Sequence, residues 1–215
     1  MKTIYLIRHG LSTANDQGIV QGHQDFPLSP EGEKQAFELA AFFRKNRIEF
    51  DIVASSDLTR ARKTAEIVCG SLDVVTESLR EMHLGVWEGR QVDELIAQSE
   101  MWEMWKHSPL LLKIEGAESL FDVQARAFSF IEEMCRNREF NSAAVFTHGG
   151  VIGLLLCGIL NESLNNVWQH RHENTAFTVL EYSDTFIVKK VNQSPHLVTS
   201  GNFFEKWKFV EKGSC

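Results

Sequence analysis

Residues 4–10 read IYLIRHG, an apolar run that ends in a cation, an imidazole and a glycine. Much later in the chain, residues 143–150 read AAVFTHGG and repeat this arrangement. An apolar run followed by polar residues and glycine predicts a buried strand whose carboxyl end opens into a loop, the usual ligand-binding edge of an α/β sheet. Two such strand ends, each with a histidine, predict one shared pocket.

Three further strand-like runs extend this pattern outward. Together the five runs cover residues 2–7, 51–55, 143–147, 176–182 and 185–191. Longer helical patterns separate the first three, which predicts an α/β fold with a largely parallel sheet and helices on both faces. Ser183-Asp184 joins the last two runs as a tight hairpin, so the sheet should gain an antiparallel edge strand.

Two predicted helices begin close to predicted strand ends. Ser29-Pro30 combines a capping hydroxyl with proline at the first helical position and predicts a helix to about Asn46. Ser55-Ser56-Asp57 offers caps for the next helix, whose first turn directs Arg60 back toward the strand end. Apolar residues at helical spacing predict another helix over residues 118–136.

Residues 80–118 interrupt the alternation of strands and helices. This segment is rich in tryptophan and methionine and has too few β-branched runs for another strand. We interpret it as a helical lid over the pocket, inserted in a single domain that spans residues 1–215. Trp102 and Trp105 in the lid are candidates for selecting an apolar leaving group, although aromatic residues near helical spacing more often belong to the core.

Composition limits the functional classes. The chain has 215 residues, 22 basic against 29 acidic, and a formal net charge of −7. Binding to a nucleic-acid backbone needs a basic field, so we expect no nucleic-acid partner. A small anion could still bind in a locally positive pocket.

The sequence also bears on the cellular compartment. The apolar core at residues 4–7 is too short for a signal peptide, and no window approaches a membrane span. We therefore expect a cytoplasmic protein without a membrane partner. The four cysteines lack paired CxxC spacing and are predicted to be reduced, mostly buried thiols: Cys69, Cys135, Cys157 and Cys215.

The charged residues near the predicted strand ends suit a phosphoryl group. Such a group carries about two negative charges, and the guanidinium forks of Arg8 and Arg60 match its oxygens. His148 would add a further contact. A neutral imidazole whose second nitrogen is fixed by a carbonyl can attack phosphorus, which makes His9 the candidate nucleophile. Glu81 is the candidate acid that protonates the leaving alkoxide.

The chain resembles the histidine phosphatase, or phosphoglycerate-mutase-like, superfamily. The matching motifs follow the family's order over most of the chain: Arg8-His9-Gly10 with Asn15, Gln21-Gly22, Leu28-Ser29-Pro30-Glu31-Gly32, Ser55-Ser56-Asp57-Leu58 with Arg60-Ala61 and Thr64-Ala65, Glu81 with Leu84-Gly85 and Trp87-Glu88-Gly89, Glu118-Ser119, and Thr147-His148-Gly149-Gly150.

This resemblance implies roles for individual residues. His9 would become phosphorylated, Glu81 would donate the proton, and Asn15 and Gln21 would line the pocket with Gly22 and Gly149. Arg8, Arg60 and His148 would bind the transferring phosphoryl group. The family also implies a doubly wound sheet with a lid, and no metal or other cofactor. Leu11-Ser12 departs from the acidic residue and threonine that the family commonly has there.

Other phosphoryl-transfer chemistries lack their motifs in this sequence. No cysteine has an arginine six residues later, no Asp-x-Asp occurs, and no glycine directly precedes a lysine as in a nucleotide P-loop. Residues 170–173, His-Arg-His-Glu, could offer a pair of metal ligands, but no third ligand is indicated and a loop or pocket rim is the favoured interpretation.

Three functions remain open from the sequence. Cofactor-dependent mutases of the superfamily carry a tyrosine where this chain has Leu84, a lysine soon after it, and paired arginines. In this chain no lysine follows Leu84 before Lys106, and no Arg-Arg pair occurs. A phosphomonoesterase acting on a small phosphorylated metabolite is therefore favoured over a mutase. A non-catalytic module that binds a phospho-ligand is the third possible function.

The predicted edge strand near residues 177–180 is a candidate homodimer surface.

Overall fold

The structure is a computed structural model, and it describes residues 1–197. Within this range one mixed sheet is built from six strands: β1 (Lys2–Arg8), β2 (Ile52–Ser56), β3 (Val74–Thr76), β4 (Ser142–Thr147), β5 (Phe177–Tyr182) and β6 (Phe186–Gln193). Their order across the sheet is β3-β2-β4-β1-β5-β6. The pairs among β1 to β4 are parallel, and β5 pairs antiparallel with both β1 and β6. The predicted largely parallel sheet with an antiparallel edge is confirmed.

Seven α-helices occur in the same described range. They are α1 (Thr13–Gln17), α2 (Pro30–Lys45), α3 (Thr59–Cys69), α4 (Val92–Ala97), α5 (Ser99–His107), α6 (Leu120–Asn137) and α7 (Gly149–Ile159). Helix α2 begins as the sequence predicts, because Ser29 accepts a hydrogen bond from the Gly32 N–H and proline occupies the first helical position.

The two faces of the sheet carry separate apolar clusters because strand side chains alternate. On β1, Ile4 and Leu6 face the cluster that includes α6 and α7, whereas Ile7 faces the cluster formed with α2 and α3. All three side chains are fully buried. Helices therefore cover both faces, and the loops at the carboxyl ends of the parallel strands share one edge.

Residues 80–118 are only partly helical. They contain α4, α5 and the 3₁₀ turns Gly85–Trp87 and Pro109–Leu111. Leu95 and Trp102 are buried in the same cluster as α6 and α7. The segment is thus packed into the main core, and the core interpretation of Trp102 is confirmed.

Three local predictions are wrong. Strand β3 was not among the predicted strands; it is three residues long and half exposed at the sheet edge. The strand at 177–180 is not an edge, since β6 pairs along its outer side and removes it as an open dimer surface. The caps proposed for α3 fail too: its N-cap is Leu58 without a side-chain hydrogen bond, and Asp57 instead binds Arg80.

The remaining features concern cysteines and membranes. Cys69, Cys135 and Cys157 are free thiols, the last two buried, while Cys215 lies outside the described residues. Among residues 1–197 no single helix is long and apolar enough to cross a membrane. The apolar stretches Gly149–Ile159 and Leu164–His170 pass such a test only together, and they are bent by 120°.

Candidate active site

The register of the two central strands brings the two histidine-bearing ends together. β1 and β4 are parallel neighbours, and Arg8 pairs with Thr147. The His9 N–H donates to the Thr147 carbonyl at 3.0 Å, so His9 and His148 follow at the same level. Their ring centroids are 5.1 Å apart. Strand pairing therefore brings the two predicted histidines together.

His9 is buried and its imidazole is fixed by its own backbone neighbour. Its Nδ1 lies 2.7 Å from the Gly10 carbonyl oxygen. Burial, and then the nearby charges of Arg60 and Arg8, hold the pKa of His9 well below its usual value, so the ring is neutral near pH 7. Because a carbonyl only accepts, the proton of this neutral ring lies on Nδ1 and Nε2 keeps its lone pair.

Arg8 and Arg60 are buried cations on either side of this histidine. Arg60 donates to the carbonyls of Gly22 at 2.8 Å and Gln24 at 3.0 Å, and Arg8 donates to the carbonyl of His172. Burial lowers the pKa of each guanidinium to about 10, which leaves both charged at neutral pH. Two desolvated positive charges held by neutral carbonyls form a local anion site in an acidic protein.

His148 lies behind His9 and is fully buried. Its Nε2 is 2.9 Å from the Ser56 hydroxyl, at the end of β2. Burial, followed by the charge of Arg60, keeps the pKa of His148 well below its usual value. Within residues 1–197, His148 Nδ1 and Arg60 Nε are buried without a hydrogen-bond partner. Unpaired buried groups of this kind are rare in folded proteins.

Glu81 enters the site from the segment after β3. Its carboxylate accepts from the backbone N–H groups of Met82 at 3.0 Å and Gly150 at 3.2 Å. Gly150 lies in the first turn of α7, where N–H groups lack helical partners and favour an acceptor. The acidic side chain is thus held at the same edge of the sheet as His148.

A clamp that the sequence analysis missed holds the backbone beneath Glu81. Arg126, on α6, donates to the carbonyls of Ser78, Arg80 and Glu81 at 2.9, 2.7 and 3.0 Å. Its other donors contact both oxygens of Glu118, each at 2.9 Å. No motif beyond the pair Glu118-Ser119 signalled this role, because the three carbonyls lie more than 40 residues away in sequence.

Glu118 is held ionised by the same clamp. Burial raises the pKa of its carboxyl, but hydrogen bonds from His23, Arg126 and the His83 N–H outweigh burial and lower the pKa well below its usual range. The His23 ring also contacts the Glu81 carbonyl at 2.8 Å. The segment that carries Glu81 is therefore held by a partly buried ion pair between Arg126 and Glu118 and by the surrounding hydrogen bonds.

The polar residues of the first loop are positioned by Ser12. Its hydroxyl caps α1 by accepting from the Asn15 N–H at 3.0 Å, and donates to Gln21 Oε1 at 2.8 Å. A serine thus supplies a hydroxyl where the superfamily commonly has threonine. Leu11 contributes hydrogen bonds through its backbone. Its N–H donates to Gln35 Oε1, and its carbonyl accepts from the Ser29 hydroxyl.

These groups open onto one cavity of about 770 Å³, a volume that includes its mouth. The predicted residues that line it are Arg8, His9, Asn15, Gln21, Gly22, Arg60, Glu81 and Gly149. His148 does not line the cavity but lies directly behind His9. The rest of the described wall consists of Val20, Met82, Leu84, Trp105, Gly150, Trp168, Arg171 and His172. Of these, Val20, Met82 and Trp168 carried no expectation from the sequence.

The two histidines once considered as metal ligands have separate partners. His170 Nε2 contacts Glu162 at 2.8 Å, whereas His172 Nε2 contacts the Thr178 hydroxyl and its carbonyl holds Arg8. Arg171, between them, lines the cavity. The stretch is therefore a pocket rim, in agreement with the favoured interpretation.

Comparison with known proteins was consistent with this geometry. A family model described as the histidine phosphatase superfamily (branch 1) matches residues 4–193. The chain is 32% identical to the broad-specificity phosphatase YOR283W of Saccharomyces cerevisiae, over 90% of this chain and 86% of that protein. It is also 32% identical to a Photorhabdus laumondii protein named "Probable phosphoglycerate mutase GpmB", over 93% and 96% of the two chains. Among solved structures, Bacillus stearothermophilus YhfR superposes with a TM-score of 0.84 at 30% identity, over 91% of this chain and 99% of that one.

Proposed function

The chain belongs to branch 1 of the histidine phosphatase superfamily, and from this premise we propose that it hydrolyses small phosphomonoesters through a phosphohistidine on His9. One observation carries the proposal. The neutral imidazole of His9, with its Nδ1 on the Gly10 carbonyl, lies among two buried guanidinium groups and beside the Glu81 carboxyl.

The first step is attack on phosphorus. His9 Nε2 donates its lone pair to the phosphorus atom while the bond from phosphorus to the ester oxygen breaks. Arg8 and Arg60 face the oxygens of the transferring group and stabilise the charge that develops on them. Since both guanidinium groups are already desolvated and held by backbone carbonyls, little reorganisation is required as the charge moves.

Glu81 transfers a proton in each half of the reaction. As a carboxylic acid it gives its proton to the departing alkoxide, which leaves as the alcohol. The resulting carboxylate then takes a proton from a water molecule that attacks the phosphohistidine. The bond from phosphorus to Nε2 breaks, phosphate is released, and His9 returns to its neutral form. The two backbone N–H groups hold the Glu81 carboxyl in one position during both proton transfers.

We propose that the reaction needs no metal ion. The groups that face the phosphoryl site from residues 1–197 are guanidinium, imidazole and amide donors, with one carboxylate. A divalent ion would require several oxygen ligands, whereas two arginines supply the compensating charge directly. Activity in the presence of a chelator tests this part of the proposal.

A phosphoglycerate mutase is the second candidate, because one relative of similar identity carries that name. A mutase must hold a glycerate carboxylate and return the phosphoryl group to it. In this chain Leu84 occupies the cavity wall where mutases of the superfamily have a tyrosine. Hydrolysis is therefore the favoured outcome once the phosphohistidine has formed.

The test compares phosphate release and isomerisation in one set of samples. Wild type, His9→Ala and the matched control His107→Ala are given several phosphomonoesters in chelator, and 3-phosphoglycerate with and without a bisphosphoglycerate primer. His107 is an exposed histidine of α5 that pairs with Glu103, so its loss should change nothing. Release that disappears only in His9→Ala supports the proposal, and acid-labile phosphate trapped on the wild type identifies the intermediate. Primer-dependent isomerisation with little release would instead establish the mutase.

A further inference from the structure

The cavity continues beyond the phosphoryl site as an apolar pocket, and its walls bear on the identity of the alcohol. We infer that the preferred substrate carries an uncharged aromatic group that lies against the rings of Trp105 and Trp168. This inference rests on the proposed hydrolysis and adds the class of leaving alcohol to it. We call the set Val20, Met82, Leu84, Trp105 and Trp168 the apolar wall.

The apolar wall is chemically distinct from the rest of the cavity. The charged and amide groups Arg8, Arg60, Glu81, Asn15 and Gln21 surround the phosphoryl site. The five side chains of the apolar wall are aliphatic or aromatic and carry no charge. Arg171 is the one further cation on the described lining. An ester with an anionic head and an apolar body matches both ends of such a cavity.

The two tryptophans are held rigidly before any substrate arrives. Their ring centroids are 4.7 Å apart with planes at 50°, and Trp168 Nε1 donates to the Trp105 carbonyl at 2.7 Å. On its other side Trp105 meets the edge of Trp87 at 5.6 Å. Because these side chains are already ordered, an aromatic group can bind there without a large loss of side-chain entropy.

A polar alcohol would be poorly accommodated at the same place. The apolar wall offers few hydrogen bonds to a serine ammonium, a glycerate carboxylate or a sugar hydroxyl, and burying such groups without partners is unfavourable. Discrimination by unpaired polar groups can exceed the discrimination from apolar contact alone. The wall therefore selects for aromatic alcohols and against small polar ones.

The experiment uses esters whose leaving oxygens are alike. Propyl phosphate and 3-phenylpropyl phosphate share a primary alkoxide and differ by one ring, so their kcat/KM ratio reports the apolar wall and not leaving-group acidity. Phosphoserine and 3-phosphoglycerate supply the polar comparison. We expect kcat/KM for 3-phenylpropyl phosphate to exceed that for propyl phosphate by about 30-fold, and to exceed both polar esters by more.

Two variants assign the effect to the wall. Trp168→Ala should reduce the ratio by about tenfold, because kcat/KM for 3-phenylpropyl phosphate falls further than kcat/KM for propyl phosphate, and Trp168→Leu should retain part of the preference. Phe37→Ala is the control, because Phe37 is a 60% exposed aromatic residue of α2 outside the cavity. Retained activity on propyl phosphate shows that each variant is folded.

The outcomes separate this inference from the function it rests on. If phosphate is released in a His9-dependent manner but propyl, phenylpropyl and polar esters react alike, the aromatic preference is wrong and the phosphatase proposal stands. A preference for phosphoserine or 3-phosphoglycerate also overturns it. A ratio that survives Trp168→Ala removes the role of this wall. If no ester is hydrolysed, or His9→Ala is as active as wild type, the proposed function itself fails.

Discussion

Glu81 and Gly150 are in such close contact that a Cβ atom at position 150 would lie 2.6 Å from Glu81 Oε1. The same atom would lie 2.7 Å from the terminal carbon of Met82, another flexible side chain. Room for the Glu81 carboxylate thus depends on the absence of a side chain at one position of α7. This contact can be changed without touching Glu81 itself.

Gly150→Ala should therefore impair activity more than stability. The added methyl displaces the Glu81 carboxyl, and a misplaced general acid forfeits part of a contribution that is about 100- to 10,000-fold. Alanine is otherwise favourable in a helix, so the melting temperature should hardly change. The matched control is Gly158→Ala in the same helix, where the new Cβ meets the end of the flexible Gln124 side chain at 2.9 Å and Phe128 at an ordinary contact distance of 3.9 Å. Equal activity of the two variants would contradict this account.

Glu81→Gln should show the signature of a lost proton donor. For alkyl phosphates, whose alkoxides need protonation, we expect kcat/KM, which reports formation of the phosphohistidine and release of the alcohol, to fall by about 100-fold or more. The loss should be much smaller for 4-nitrophenyl phosphate, whose leaving group departs without a proton. Glu77→Gln serves as the control, because the Glu77 side chain is 76% exposed. A uniform loss across both esters would assign Glu81 to binding instead.

Arg126→Lys should loosen the segment that carries Glu81. Lysine keeps the charge beside Glu118 but cannot reach the three carbonyls that the guanidinium fork joins. We expect kcat for alkyl phosphates to fall by about tenfold, with KM and the rate on 4-nitrophenyl phosphate changed less. The control is Arg136→Lys, an exposed arginine of the same helix paired with Glu132. A rise in KM alone would contradict a positioning role.

Stability should fall on mild acidification because several histidines are buried in neutral form. Burial lowers the pKa of His172 and of His196 to about 4, and holds the pKa values of His9 and His148 well below their usual value. The unfolded chain therefore binds protons below about pH 6.5 that the folded chain does not, so the free energy of unfolding decreases as pH falls from there toward 4.

Urea unfolding at pH 7, 6 and 5 measures this dependence. Each histidine that stays neutral in the folded state contributes at most about 1.4 kcal/mol per pH unit. His172→Asn should reduce the slope by up to one such contribution, whereas His107→Asn, at an exposed position, should leave the slope unchanged. Constant or increasing stability from pH 7 to pH 5 would show that these rings are protonated in the folded chain.

The parts of the molecule that follow from local pattern could be predicted. The runs at residues 4–10 and 143–150 identify two buried strands with histidines at their ends, and parallel pairing alone brings His9 to His148. Ser29-Pro30 likewise determines a helix start by contacts within one turn. In these cases the information lies in neighbouring residues.

What could not be predicted depends on contacts between distant segments. Asp57 resembles a helix cap in the sequence, but Arg80 competes for its carboxylate with contacts at 2.9 and 3.1 Å. Trp168 joins the cavity wall only because the turn Leu164–His170 packs against Trp105. Arg126 is an ordinary surface-type residue until the folded chain places three carbonyls around it. The local periodicity of a sequence does not encode contacts between segments that are distant along the chain.

The position of β4 between β2 and β1 has a consequence for how activity arises during synthesis. The nascent chain makes β1 and β2 early, yet neither can take its final place in the sheet until β4, about 90 residues after β2, inserts between them. The same insertion delivers His148 to His9. Pairing of β4 with β1 and β2 and assembly of the two histidines are therefore one event. The rate at which activity recovers during refolding should match the rate at which the central strands pair.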